Sequence, residues 1–147
     1  MSAFAAPLTL AGHHVRLEPL ASAHHDDLVL AVQDGELWNH WYTAIPRPEA
    51  MAAEIQRRLD LQAQGSMCPF AVIEPASGQA VGMTTFMNID AANRRVEIGS
   101  TWYRRSVQRS PLNTEAKRLL LAHAFEQLDC IAVELRTHFF NQQSRRA

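Results

Sequence analysis

Apolar and polar positions alternate around Val15 and Leu17 between Leu8 and Leu20, which predicts a first strand with Gly12 at a turn or bulge. Ser22 then stands as a cap. Leu28, Val29, Ala31 and Val32 give His24 to Val32 the spacing of a short helix that stops at Asp34-Gly35. Glu36 to Pro48 follows neither period and holds Trp38, Trp41, Tyr42 and two prolines, an irregular and aromatic stretch. Arg47-Pro48-Glu49 opens a second helix, with Met51, Ile55 and Leu59 on one face and Gly65 as its stop. Phe70 to Ile73 is a short apolar run closed by Pro75 and Ser77-Gly78, and Ala80 to Ile89 is its hairpin partner. Arg94 to Tyr103 makes the third strand of this meander. Pro111 to Leu128 carries Ala116, Leu120, Ala124 and Leu128 on one helical stripe, with Leu121 and Phe125 beside it. Cys130 to Phe140 then alternates Ile131, Val133 and Leu135 against Ala132, Glu134 and Arg136 as a last strand.

This order predicts an α+β fold with a mixed sheet, the long helix crossing between its last two strands. The start of that helix then falls at the carboxyl end of the Arg94 to Tyr103 strand, where open sheets tend to bind ligands. With 147 residues, 47% hydrophobic and 20% charged, the chain is expected to form one compact domain over residues 1–147. A net charge of −1 gives no general field for nucleic acid or an anionic membrane, so neither is expected as a partner and any anion must be recognised locally. Cys68 and Cys130 form no CxxC pair, which argues against a disulfide framework or a zinc site and fits a reducing, cytoplasmic setting. His13-His14 and His24-His25 are adjacent pairs whose side chains diverge, and no metal is expected. No apolar stretch approaches the ~20 residues of a membrane span.

Ser110-Pro111 is a strong helix start, because the serine oxygen can cap a free amide and proline tolerates the first helical position. The amides of Leu112 and Asn113 then have no carbonyl four residues back and lie at the positive end of the helix dipole. Arg104, Arg105 and Arg109 are close in sequence, and arginine forks match phosphate oxygens. The alternative is an ordinary capped helix with solvated arginines.

EIGSTWY, QRSPLNTEAK and LLLAHAFEQL, between Val96 and Leu128, with CIAVELRTH and Asn141-Gln142-Gln143-Ser144 after them, resemble the GNAT superfamily of N-acetyltransferases, and most of all its Rim-type branch. That branch acetylates protein N-termini and small amines. The resemblance implies an acyl-CoA N-acyltransferase fold, a mixed, mostly antiparallel sheet flanked by helices, with acetyl-CoA as co-substrate and a small-molecule or peptide amine as acceptor. It places the coenzyme pyrophosphate on the loop and helix start formed by Gln108, Arg109, Ser110, Leu112, Asn113 and Thr114, with Asn141 on the pantetheine amide. Two departures stand out. Pro111 and Asn113 occupy positions where the family usually has glycine, which removes one N–H from the cradle. Family members also continue beyond the Asn141 region with a helix and two strands, so the chain is expected to be C-terminally incomplete, less stable alone or completed by another chain, for instance as a homodimer.

Acetyl transfer needs a neutral amine, a polarised carbonyl and a proton for the departing thiolate. Alternation along its strand puts Glu97 with Gly99, Thr101 and Tyr103, opposite Val96, Ile98 and Trp102. The resemblance makes Glu97 a base acting through water. A paired carboxylate bonded to Arg94, Arg95 or Arg136 is its alternative, and Glu134 is a weaker base candidate. Ser144 resembles the family position whose hydroxyl approaches the coenzyme sulfur, and Tyr103 is an alternative acid. Trp38, Trp41 and Tyr42 fall where the family builds its acceptor pocket, although such rings equally serve as packing. The leading expectation is an acetyl-CoA dependent N-acetyltransferase working by direct attack. A catalytically inactive acyl-CoA binding or interaction module is the main alternative, and an unrelated phosphate-binding domain the third.

Overall fold

The computed structural model describes residues 4–39 and 45–135. Its elements are β1 (Leu10–Ala11), β2 (Arg16–Pro19), α1 (His25–Gln33), α2 (Met51–Ala63), β3 (Cys68–Glu74), β4 (Gln79–Asp90), β5 (Arg95–Tyr103), α3 (Pro111–Ala122) and β6 (Ala132–Leu135). The six strands form one sheet in sequence order. All neighbours are antiparallel except β5 and β6, which run parallel because α3 carries the chain back between them. This is the mixed α+β sheet expected from the pattern.

Each sheet face has its own core. On one, Val15, Leu17, Phe70, Val72, Phe86, Val96 and Ile98 pack under the α3 stripe of Leu112, Ala116 and Leu120. Phe70 and Phe86 meet edge to face, with centroids 6.0 Å apart. On the other, Ala71, Ile73, Ala80, Met83 and Trp102 pack beneath Leu28, Ala31 and Val32 of α1 and Met51 and Ile55 of α2.

Three departures from simple periodicity have local causes. The predicted first strand is a hairpin, its turn closed by the Gly12 amide on the Val15 carbonyl at 2.8 Å. The Glu115 carboxylate of α3 accepts from the amides of His14 (2.6 Å) and Val15 (3.0 Å) there, and a Cβ on Gly12 would run into it, so a side chain at this position would have to displace the carboxylate. The long helix keeps α-helical bonding only to Ala122. A π turn over His123–Gln127 follows, with the Leu128 amide on the carbonyl of His123 at 3.0 Å. Ala124 and Leu128 stay buried, while Phe125, expected beside the stripe, is half exposed.

The third departure changes the site. Met83 pairs with Trp102 and Thr85 with Gly99, so Thr84 alone stands opposite both Ser100 and Thr101. Ser100 has φ +49°, and this extra residue is a bulge that reverses the alternation beyond it. Tyr103 therefore joins Val96 and Ile98 under α3, and Trp102 enters the opposite core, beneath α1 and α2. The expected grouping of Tyr103 with Glu97, and of Trp102 with Val96 and Ile98, is corrected accordingly.

Candidate active site

Ser110 has extended backbone angles and Pro111 is the first residue of α3, as the Ser-Pro pair predicts. The serine hydroxyl, however, spends its strong hydrogen bond on the Val107 carbonyl, at 2.5 Å. Its oxygen lies 3.4 Å from the Leu112 amide, beyond the usual N–H···O range, so this donor is only loosely capped. The Leu112 side chain is buried in the core, which fixes where its amide points. Asn113, one residue further, has a buried side-chain Oδ1 with no hydrogen-bond partner. Thr114 is exposed on the same first turn. A loosely held amide and the positive end of a 12-residue helix suit this end of α3 to an anion, while the unmet Asn113 Oδ1 is an acceptor that calls for a donor.

The arginines of the preceding loop have separate fates. Arg104 donates from Nε to Oδ2 of Asp34, at the end of α1, at 3.1 Å, and the Ser106 amide donates to the same oxygen at 2.9 Å. That amide first, and the Arg104 guanidinium with it, hold the Asp34 carboxyl below its ordinary value despite some burial. Arg104 is thus a brace rather than one of three loose phosphate forks. Arg105 lies over Gly35, where a Cβ would come 2.7 Å from its Cδ. Arg109 is exposed, in the left-handed region with φ +65°. The Gln108 side chain donates to the Tyr103 carbonyl at 2.9 Å and folds the loop back on β5.

Glu97 is 6% exposed on the face of β5 away from α3. Asn88, which takes φ +48° beside a second bulge in β4, donates from Nδ2 to Glu97 Oε1 at 2.9 Å. Gly99 sits beside the carboxylate on this face: a Cβ there would meet Met87 Sδ at 2.8 Å and Glu97 Oε2 at 3.4 Å. Arg94 and Arg95 pair with Asp129 (3.0 Å) and Glu134 (2.9 Å), which makes Glu134 an ion-pair partner of Arg95; Arg136, the other expected partner of Glu97, lies outside the described residues. Parallel pairing with β6 covers Arg95 to Ile98. From Gly99 to Tyr103 that edge of β5 has no ladder partner among the described residues.

Tyr103 lies on the other face, about 20 Å further along the strand at ~3.3 Å per residue. It is buried in the α3 core, and burial pushes its phenol well above the ordinary tyrosine value, which suits packing better than proton donation. Trp38 is half-buried against the core beneath α1 and α2. Trp41, Tyr42, Asn141 and Ser144 lie outside the described residues. Pattern reading missed Asp34, taken only as a helix stop, and Asn88, whose one sequence signal is asparagine's tolerance of positive φ. Among the described residues, no three His, Cys, Asp or Glu side chains gather in a metal-binding group, and no helix is long and apolar enough to cross a membrane.

A mixed sheet with a bulged β5, a crossover helix and an anion-suited helix start defines an acyltransferase-like α+β fold. Residues 14–147 match the model of the acetyltransferase (GNAT) domain. Among solved structures, a GCN5-related N-acetyltransferase from Brucella melitensis is 34% identical with a TM-score of 0.81, over 96% of this chain and 65% of its own. An acetyltransferase from Salmonella typhimurium that modifies the N-terminal serine of ribosomal protein L7/L12 superposes with a TM-score of 0.79 at 17% identity, over 94% of this chain and 80% of its own. RimL, a ribosomal L7/L12 α-N-protein acetyltransferase solved with coenzyme A, gives 0.78 at 17% identity, over 95% and 80%. At that identity the last two show the fold alone. No curated protein matches the chain significantly. The chain belongs to the GNAT acetyltransferase family, and it spans 65% of the length of the Brucella structure.

Proposed function

We propose that the chain is one GNAT domain of the Rim-type branch that transfers an acetyl group from acetyl-CoA to a primary amine, a protein N-terminus or a small molecule. The α3 N-terminus carries this reading, because its loosely capped Leu112 amide and the positive end of the helix fit a diphosphate linker. When bound, the coenzyme supplies the activated acyl group as a thioester. Arg109, Ser110, Leu112, Asn113 and Thr114 would hold its linker, with Gln108 bracing the loop. Backbone amides near Ser100 to Tyr103 would polarise the acyl carbonyl.

Glu97 would take the proton of the attacking amine through water, oriented by Asn88. The proton for the departing sulfur is assigned to Ser144, and the pantetheine contact to Asn141, on the resemblance alone. Trp38, with Trp41 and Tyr42, would line the acceptor side. The second reading is a coenzyme-binding module without turnover; Pro111 in place of a cradle amide would lower coenzyme affinity under either reading.

Calorimetry with acetyl-CoA, followed by thiol release over a panel of peptide and small amines, tests the proposal. Micromolar binding with turnover is expected. Binding without turnover supports the module, and absence of binding refutes both.

A further inference from the structure

We infer that Asp34 is a positioning residue for the coenzyme loop, tying the end of α1 to the start of α3; the inference rests on the reading that this loop holds the coenzyme diphosphate. The Asp34 carboxylate lies about 70 residues away in sequence from the two groups it holds, Arg104 Nε at 3.1 Å and the Ser106 amide at 2.9 Å. Both are in the short link between β5 and α3, which turns once through Arg105–Val107 before reaching Ser110.

Besides the Gln108 contact to the Tyr103 carbonyl, three anchors fix that link. The Arg104 amide donates to the Val81 carbonyl at 2.7 Å, the Val107 side chain is buried in the core, and Asp34 holds the turn between them. Without Asp34 the Ser106 amide loses its acceptor and Arg104 its counter-charge, and the turn is left to the Arg104 amide, Val107 and Gln108 on either side of it. The approach leaves no slack, because Gly35, at φ +83°, accepts the Arg105 stem only for want of a Cβ. Just beyond Gly35 the chain enters Leu37–Asn39 and the half-buried Trp38, so one carboxylate joins the segment leading to the proposed acceptor side to the proposed coenzyme side. A loop held in its binding shape before the ligand arrives spares the ordering cost on binding.

Asp34→Ala is therefore expected to weaken coenzyme A binding about tenfold by calorimetry, well below the melting temperature. KM for acetyl-CoA should rise in proportion while kcat at saturation changes little. Hydrogen exchange of the ligand-free protein should show the Ser106 amide deprotected in the variant. Asp34→Asn, which keeps an acceptor for that amide but loses the charge facing Arg104, should fall between wild type and alanine. It decides the matter if the alanine variant fails to fold. Folded variants that bind coenzyme A as tightly as a binding-competent wild type, with Ser106 still protected, overturn the inference and leave the functional reading standing. A wild type that binds no coenzyme A overturns both.

Discussion

Glu97 is held through Oε1 by Asn88, a contact that a glutamine at the same position preserves. Glu97→Gln should thus fold normally and bind coenzyme A with nearly unchanged affinity, yet lose about a hundredfold in kcat at neutral pH, a typical contribution of a general base. Equal turnover in a thiol-release assay would remove Glu97 from the mechanism. Arg109 separates charge from backbone strain, since it holds φ +65° with a β-carbon. Relief of a left-handed conformation is worth ~1 kcal/mol. Arg109→Gly should match or exceed wild type in thermal stability while binding coenzyme A more weakly, and Arg109→Ala should weaken binding without the stability gain. For both variants the affinity loss should shrink as salt rises. Unchanged affinity at low salt would make Arg109 a solvated loop residue.

Among the elements, the β1–β2 turn depends on a residue of α3. Burial pushes the Glu115 carboxyl up, but the amides of His14, His13 and Val15 more than offset this and hold it below its ordinary value. A carboxylate with a depressed folded value contributes its stability in full above the ordinary value of about 4.3 and loses it as the pH falls through the folded one. Glu115→Ala should then cost on the order of 1 kcal/mol in urea unfolding at pH 7, a figure discounted for partial exposure. The gap to wild type should close on acidification, and a pH-independent gap would show that the loss is one of packing. Helices and strands were largely legible because Leu112, Ala116 and Leu120, or Phe70 and Val72, repeat at the period of their element. The Ser100 bulge was not, since it depends on pairing with Thr84 across the sheet and leaves no mark on local periodicity. The same holds within the site: Ser110-Pro111 announces a helix start by itself, whereas Asp34 acts on Arg104 and Ser106 only through the tertiary fold.

Across the whole molecule, two cores on opposite faces of one sheet leave the end of β5 and the start of α3 as the place where both faces and the crossover meet. With a net charge of −1, the chain has no strong overall field to gather a highly charged coenzyme, so the proposed affinity rests on local main-chain donors and Arg109. The central claim is that the Leu112 and Asn113 amides, with the Arg109 side chain, receive the diphosphate linker, the Ser110 amide being bonded to the Val107 carbonyl at 3.3 Å. An amide-resolved NMR titration with coenzyme A, repeated with pantetheine, which lacks the diphosphate, tests it most directly. The largest shifts should fall on Arg109, Ser110, Leu112, Asn113 and Thr114 with coenzyme A and largely vanish with pantetheine. Shifts centred elsewhere, or equal for the two compounds, would contradict it.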